Sequence, residues 1–288
     1  IILMILAASQ GSVEMTPFTV LKMFLHRVPF IDITPDWPET WETILWQLRL
    51  PRIILAGLVG GSLAISGATY QGMFRNPLAD PYLIGVASGA GLGATIILVS
   101  GKSVNLYSMN MLPLAAFLGA LIAVTVSYFI ARNSSELPLT TLILAGVSIA
   151  ALTSAITSLI MIRSDPDLRP VLSWLLGGFA STQWKHNLIL FPYFIVSVVF
   201  IVLHGRILNI LQLDEEHAVQ VGVNVERTKV LLLIIATLST AVAVSYCGII
   251  GFVGLISPHI VRLIWGGDYR FLLPMSVIMG AGFLIVSD

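Results

Sequence analysis

The sequence predicts an all-α fold, a polytopic transmembrane helix bundle, and three observations support this. Hydrophobic residues make up 57% of the 288 residues and charged residues only 10%, against roughly 25% charged residues in soluble domains. The mean hydropathy is +0.93. The apolar residues are also gathered into eight long runs, close to the length of about 20 residues that a helix needs to cross a bilayer.

Charges, prolines and polar loops bound the eight runs. In chain order they are 53–74, 84–99, 109–131, 139–162, 188–203, 230–246, 249–265 and 271–286. An apolar opening at 1–8 is too short to span. A signal peptide is the other interpretation of this opening, but no basic residues precede it and no small-residue cleavage site follows. We expect the chain to be a fragment, because it begins with Ile1 and stops at Asp288 directly after an apolar run.

The charges exclude several classes of protein. With 15 basic and 15 acidic side chains, the chain has no basic excess to bind a phosphate backbone, so we expect no nucleic-acid partner. A single cysteine, Cys247, excludes a disulfide scaffold. Lys and Arg are divided almost evenly between the two sides, so the positive-inside rule gives no orientation. Five spans separate Arg49 and Arg52 from the polar stretch 214–229, which places these two features on opposite sides of the membrane.

Motifs of soluble enzymes occur only in incomplete form. Residues 89–94 fit G-x-G-x-x-A, but they open an apolar helix, where small residues serve tight helix packing. The G-K-S string at 101–103 lacks the first glycine of a P-loop, since Ile96 occupies that position. The five histidines lie in different loops, so we expect no metal site and no cofactor in this chain. No ionisable residue lies near the centre of a span, which argues against an ion-coupled transporter without excluding one.

Three strings carry a resemblance to a known family. They are RLPRIILAGLVGGSLAISGATYQGMFRNPLADPYLIGVASGAG at 49–91, WLLGGF at 174–179 and GFVGLISPHIVRLIWGGDYRFLLP at 251–274. In order and spacing they resemble the permease subunits of iron-siderophore, haem and vitamin B12 importers, which are type II ATP-binding-cassette (ABC) importers. The resemblance covers residue 49 to the end. It implies a ten-helix fold, of which this chain lacks most of helix 1 and all of helix 10. It also implies one permease domain over 1–288, with a cytoplasmic coupling region at 213–229.

The resemblance also implies partners and a location. The permease would form a homodimer in the cytoplasmic (inner) membrane, surrounded by lipid, with two cytoplasmic ATPase subunits that bind ATP and Mg. A periplasmic or lipid-anchored binding protein would deliver a bulky metal chelate, which the permease imports by alternating access without being an enzyme itself. The alternatives are an ion-coupled secondary transporter and a structural membrane subunit. Whether the chelate is an iron-siderophore, haem or cobalamin stays open.

Arg49 and Arg52 are candidate docking residues for the binding protein. They are three residues apart at the mouth of the first long span, so they share a helix face. In the family such arginines meet glutamates on the binding protein, a task that suits the permanently charged, bidentate guanidinium. The alternative is a pair of arginines that snorkel at the membrane edge.

The polar stretch between the fifth and sixth spans resembles the coupling region that inserts into the ATPase. We expect a short helix over 214–221, a break at Gly222 and a restart near Val225. Acidic residues at the start of this helix complement its dipole. The alternative is an ordinary solvated loop. The candidate coupling residues are Asp214, Glu215, Glu216, His217, Ala218 and Gly222.

The string RNPLADP at 75–81 matches the cytoplasmic gate of the family. Its two prolines forbid a continuous helix, so the backbone must turn here. Asn76, Pro77 and Leu78 match gate positions, and Thr140 lies close to the second gate position. A purely structural turn would carry the same prolines.

Three further features complete the expectations. WLLGGF resembles a short helix at the outer mouth, in which Trp174, Gly177 and Gly178 allow close backbone approach or a bend. An interfacial helix anchored by tryptophans is the competing and compatible account. At the cytoplasmic end we expect an ATPase-facing or interfacial role for Pro258, His259 and Arg262 rather than a haem or metal ligand. The polar insert 31–43 predicts an extra outer element.

Overall fold

A computed structural model of the protein describes residues 2–29, 34–100, 105–106, 109–132, 137–164, 168–213, 215–220 and 222–288. At 105–106, 109–110 and 215–217 it describes the backbone alone. Within these ranges the helices are α1 (Ile2–Ser9), α2 (Pro17–His26), α3 (Glu39–Thr43), α4 (Leu50–Phe74), α5 (Val86–Val99), α6 (Met111–Ala131), α7 (Leu139–Arg163), α8 (Arg169–Leu176), α9 (Trp184–Leu203), α10 (Gly205–Leu213), α11 (Glu215–Gln220), α12 (Val225–Cys247), α13 (Val253–Trp265) and α14 (Tyr269–Ser287).

Short irregular elements complete the described chain. A π-helical segment (Ile44–Arg49) joins α3 to α4, and a 3-10 turn (Pro81–Ile84) precedes α5. Strands β1 (Asn105–Leu106) and β2 (Met109–Asn110) form a two-residue antiparallel ladder between α5 and α6.

The eight predicted spans are helices, which confirms the polytopic all-α fold. Six helical segments in the described chain are long and apolar enough to cross a membrane, and α5 and α13 are shorter apolar helices. The largest differences from the predicted starts are at α9, which begins at Trp184 instead of 188, at α12, which begins at Val225 instead of 230, and at α13, which begins at Val253 instead of 249. The difference at α13 arises because Gly248 and Phe252 adopt positive φ, which interrupts an apolar run that hydropathy alone reads as continuous.

Helix α4 is the centre of the bundle. In the segment Glu39–Phe74, 89% of the most apolar window is buried, whereas the corresponding share of α7 is 17%. Helix α4 continues from the π-helical segment without a break, and Pro51, which has no amide hydrogen to donate, lies two residues after the end of this segment. It ends where Arg75 adopts a left-handed conformation with φ 50°.

Glycines bring the backbones of neighbouring helices into direct contact. A Cβ on Gly67 of α4 would lie 1.8 Å from the carbonyl oxygen of Gly254 in α13. A Cβ on Gly60 would lie 2.2 Å from the carbonyl oxygen of Gly280 in α14. Helices α5 and α6 meet in the same way, since a Cβ on Gly89 would lie 2.4 Å from the carbonyl oxygen of Gly119. The interpretation of 89–94 as a helix-packing motif is therefore confirmed.

The interruptions before α5 and before α13 pack against each other. The Tyr82 hydroxyl in the 3-10 turn donates to the carbonyl oxygen of Ile250 at 2.8 Å. A Cβ on Gly254 would lie 3.1 Å from Cδ of Pro81. The broken backbone groups are thus covered by protein, which is the condition for non-helical backbone at membrane depth.

Residues 2–29 and 34–49 form a cap over the start of α4. Trp37 is buried, and its indole Nε1 donates to Glu42 at 3.1 Å. Lys22 of α2 pairs with Asp36 at 2.5 Å. The described part of the insert, 34–43, is therefore an ordered element that packs on α2, as the sequence predicts, while 31–33 lie outside the described residues.

Candidate functional site

The candidate residues lie at two opposite ends of the bundle. At the Arg52 end, which contains Arg52, Trp184 and Asp288, the start of α4 meets the end of α14 and the start of α9. At the Glu226 end, Gln212 of α10 donates to the carbonyl oxygen of Gly72 near the end of α4, and Glu226 begins α12. The arginine pair and the polar stretch 214–229 are therefore at opposite ends, as the count of spans predicts.

The two arginines at the Arg52 end have different surroundings. Arg49 is half-buried and donates from Nη1 to the carbonyl oxygen of Ala8 at 2.5 Å and from Nη2 to that of Val13. Arg52 forms a two-pronged ion pair with Asp288, at 2.6 Å from Nε and 2.8 Å from Nη2, and its side chain stays 45% exposed. The two arginines therefore do not present their guanidinium groups on one exposed surface, because Arg49 is turned inward and holds the α1–α2 connection in place. Arg52 alone keeps an accessible guanidinium.

The short helix α8 packs its C-terminal end onto the break between α12 and α13. Gly177 has φ 70°, and a Cβ there would lie 2.6 Å from the carbonyl oxygen of Ile249. The Gly178 amide donates to the carbonyl oxygen of Cys247 at 2.7 Å. A Cβ on Gly248 would lie 2.1 Å from the carbonyl oxygen of Trp174. The expected close backbone approach at WLLGGF is therefore confirmed.

Tryptophan also anchors the start of α9. The indole Nε1 of Trp184 donates to the carbonyl oxygen of Trp46 at 2.8 Å, and Trp184 is exposed. Trp174 is half-buried. The interfacial account and the close-approach account are thus compatible.

The gate candidates form an exposed turn at the Glu226 end. After the left-handed Arg75, the Asn76 carboxamide accepts from the Leu78 amide at 2.9 Å. Pro77 and Leu78 are exposed. The Asp80 carboxylate accepts from the Tyr82 amide at 2.8 Å, and burial raises the pKa of Asp80.

The second gate candidate lies on α7. Thr140 is exposed in the first turn of α7. The chain that leaves the Asn76 turn packs on the same helix, since a Cβ on Gly146 would lie 2.3 Å from the carbonyl oxygen of Leu83. Both gate candidates therefore lie on elements that contact each other.

The candidate coupling region has the predicted architecture. Helix α11 covers Glu215–Gln220, Gly222 has φ 88°, and α12 begins at Val225. Ala218 is fully buried, and its carbonyl oxygen accepts from the Val223 amide at 2.9 Å, which closes the turn. Asp214 and Val221 lie outside the described residues, as do the side chains of 215–217. The coupling role itself stays a prediction.

Glu226 is a residue that the sequence reasoning missed. Its carboxylate accepts from the Leu137 amide at 2.9 Å and from the Lys229 ammonium at 3.1 Å. Lys229 is only 4% exposed. One side chain thus joins the first turn of α12 to the chain three residues before Thr140. The sequence does show that Glu226 and Lys229 are three residues apart at the start of a helix, which predicts their ion pair. It contains no local pattern that predicts the bond to Leu137.

Pro258 and His259 lie in the middle of α13 and Arg262 lies near its end, and the helix continues to Trp265. His259 is exposed, whereas Pro258 is buried inside the helix. Arg262 donates to the Gln71 carboxamide oxygen at 3.0 Å, which ties α13 to α4. Among the described residues, no group of three or more His, Cys, Asp or Glu side chains could hold a metal ion.

Asp268 caps the start of α14. Its carboxylate accepts from Arg270 at 2.5 Å and from the Asn209 carboxamide at 2.6 Å. The Arg270 and Asn209 hydrogen bonds hold the pKa of Asp268 well below its usual range. This network links α10 to α14 at the Glu226 end.

Comparison with known proteins identifies relatives over almost the whole chain. The FecCD transport family matches residues 1–288. The cobalamin import system permease protein BtuC of Halobacterium salinarum is 45% identical, over 93% of this chain and 76% of its own length. The hemin transport system permease protein HmuU of Yersinia pestis is 37% identical, over 88% of this chain and 75% of its own length. A solved inward-facing conformation of a metal-chelate type ABC transporter superposes with a TM-score of 0.83 at 30% identity, covering 99% of this chain and 86% of the other.

Proposed function

Because the chain belongs to the FecCD transport family, and is thus a multi-pass ABC importer permease of the inner membrane, we propose that it imports a bulky metal chelate. The chelate is an iron-siderophore, haem or cobalamin, and transport proceeds by alternating access. Two relatives named for cobalamin and hemin, and a structural neighbour of the metal-chelate type, support this substrate class. The chain itself holds no catalytic site in this proposal, and ATP and Mg belong to a separate ATPase.

We propose that the transport pathway runs along the exposed side of α7. Helix α7 is the least buried of the six long spans. Its exposed side alternates small and hydroxyl side chains with large apolar ones. The small and hydroxyl side chains are Thr140, Thr141, Ser148, Ala151, Ser154, Ala155 and Ser158, and the large apolar ones include Leu144, Val147, Leu152, Leu159 and Ile162. The first set allows close approach of another helix and contact with a water-filled cavity, and the second set can pack against that helix. A second copy of the chain, facing this side of α7 across a central cavity, supplies both the neighbouring helix and the water-filled cavity.

The two ends of the bundle then meet different partners. The Arg52 end faces outward, where Arg52 binds a carboxylate of the periplasmic or lipid-anchored binding protein. The Glu226 end faces the cytoplasm, where α11 and Gly222 insert into one of two ATPase subunits. The Asn76 turn and Thr140 lie at this end and form the gate. The exposed Leu78 and the exposed His259 project from the same end.

Uptake into proteoliposomes tests the function. The permease would be reconstituted with its ATPase and its binding protein, and ATP would be enclosed in the lumen. Labelled cobalamin, haem and a ferric siderophore would be offered separately. We expect uptake of one of them that requires both ATP and the binding protein. Uptake that needs an ion gradient but no ATPase would contradict the proposal in favour of a secondary transporter.

Two substitutions test the pathway. Val147→Trp places a bulky side chain on the exposed side of α7 and should slow uptake. Val196→Trp makes the same enlargement on the exposed side of α9 and serves as the matched control. Equal uptake rates for the two variants would contradict a pathway along α7.

Small side chains at Asn76 and Leu78 should allow chelate to leak through the permease without ATP. No leak of chelate in these variants would contradict the gate.

A further inference from the structure

A cavity of about 380 Å³ lies between α6, α9 and α12 at the Arg52 end. Its walls are mostly apolar, with Leu114 and Phe117 from α6 and Ile189 from α9. Its polar groups come from Lys185, His186 and the hydroxyl-bearing side chains of α9 and α12. This combination of volume, apolar walls and a few polar groups is typical of ligand sites. The transport pathway proposed along α7 does not use it.

His186 lines this cavity, and one of its ring nitrogens is buried without a hydrogen-bond partner. Its Nδ1 accepts from the Gln183 amide at 3.3 Å, as part of the box that caps α9. A ring nitrogen that accepts carries no proton, so the neutral imidazole bears its proton on Nε2. His186 is only 9% exposed, and Nε2 has no hydrogen-bond partner in the structure. Because a buried donor without a partner is costly, the arrangement calls for an acceptor in the cavity.

The charges that line the cavity and the depth of the cavity indicate which kind of acceptor it binds. Lys185 is exposed at the start of α9, and Tyr193 lies eight residues further on, which is about 12 Å along the helix axis. Leu114, Ile189 and Tyr193 are each partly exposed, so the cavity opens sideways toward the hydrocarbon. None of the described residues that line it is acidic. The site thus combines a cation and a donor at the headgroup level with an apolar groove below them.

We propose that this cavity binds one phospholipid with an anionic headgroup, in the leaflet that surrounds the Arg52 end. A phosphate oxygen pairs with the Lys185 ammonium and accepts from His186 Nε2 once the imidazole ring turns toward the cavity, because Nε2 itself has almost no solvent-accessible surface in the structure. An acyl chain lies against Leu114, Phe117 and Ile189. A lone cation favours a net-negative headgroup over a zwitterionic one, since a choline group would be repelled by Lys185. The apolar walls favour a lipid over free phosphate.

Native mass spectrometry of the permease purified from membranes, after delipidation in detergent, tests the site. Phosphatidylglycerol, phosphatidylcholine and glycerol 1-phosphate would be titrated separately. We expect one phosphatidylglycerol per chain, bound about fivefold more tightly than phosphatidylcholine, because the choline ammonium offsets the attraction between Lys185 and the phosphate, an effect of about 1 kcal/mol per lysine. Glycerol 1-phosphate should not compete. Equal affinity for the two lipids, or competition by glycerol 1-phosphate, would overturn the proposal.

Variants assign the effect to the two side chains. Lys185→Gln should remove the preference for phosphatidylglycerol. His186→Asn keeps an oxygen where Nδ1 accepts from the Gln183 backbone amide but removes the Nε2 donor, and it should weaken binding about tenfold. Arg163→Gln is the matched control, since Arg163 is an exposed cation at the end of α7 that does not line the cavity. Unchanged affinity in Lys185→Gln would overturn the proposal even if His186→Asn fails to fold.

Discussion

Glu226→Ala should uncouple ATP hydrolysis from transport, because Glu226 links the coupling region to the start of α7. The substitution removes the bond from the Leu137 amide and one partner of the Lys229 ammonium. A hydrogen bond to a charged group contributes about 1.5–3 kcal/mol. Since a third of the Glu226 side chain is exposed to water (34%), we take the lower bound, about 1.5 kcal/mol, for the link to Leu137.

This free energy converts into a measurable ratio. A loss of about 1.5 kcal/mol corresponds to about tenfold, so the number of chelates moved per ATP should fall about tenfold in Glu226→Ala. Glu226→Gln keeps an acceptor for the Leu137 amide, at about half the strength of the charged one. Its ratio should therefore fall only about threefold.

Uptake and phosphate release, measured together in proteoliposomes, give this ratio. Glu39→Ala, an exposed acid in α3, is the control for the loss of a carboxylate elsewhere in the chain. The ATPase must still co-purify with each variant, so that weaker docking is separated from weaker transmission. A ratio in Glu226→Ala within about twofold of the unmodified protein would refute the reasoning.

Further predictions concern the arginines and two glycines. Arg52→Ala should reduce the stimulation of ATPase activity by the loaded binding protein, whereas Arg49→Ala should mainly lower the thermal stability by freeing the α1–α2 connection; the reverse pattern would contradict the assignment. Gly222→Val should uncouple transport without a clash, since a Cβ there meets nothing within 4 Å and only the φ of 88° is strained, at about 1–2 kcal/mol; normal coupled uptake would contradict this. Gly67→Ala should prevent stable folding, because its Cβ would lie 1.8 Å from the Gly254 carbonyl oxygen, and an unchanged melting temperature would contradict the packing.

Hydropathy predicted where the helices lie, but not which of them are buried. Helices α4 and α7 are both apolar and 25 residues long, yet one is the centre of the bundle and the other is largely exposed. That difference depends on neighbours contributed by distant parts of the chain. The Gly222 break was predictable because glycine tolerates positive φ, so the signal is local.

The partners of charged side chains were not predictable for the same reason. Arg49 donates to Ala8, 41 residues away, and Glu226 accepts from Leu137, 89 residues away. No periodicity links such pairs. The sequence therefore identified Arg49 as a basic residue at a helix mouth, but only the fold shows that its guanidinium is turned inward.

The backbone contacts among α4, α13 and α14 restrict how the protein can move. Where Gly67 meets Gly254 and Gly60 meets Gly280, no side chains separate the main chains, so these helices have no layer that can repack to let them slide. Shear of packed helices depends on such small side-chain adjustments. We expect these three helices to move as one rigid body during transport. Movement relative to these three helices is then left to the largely exposed α7.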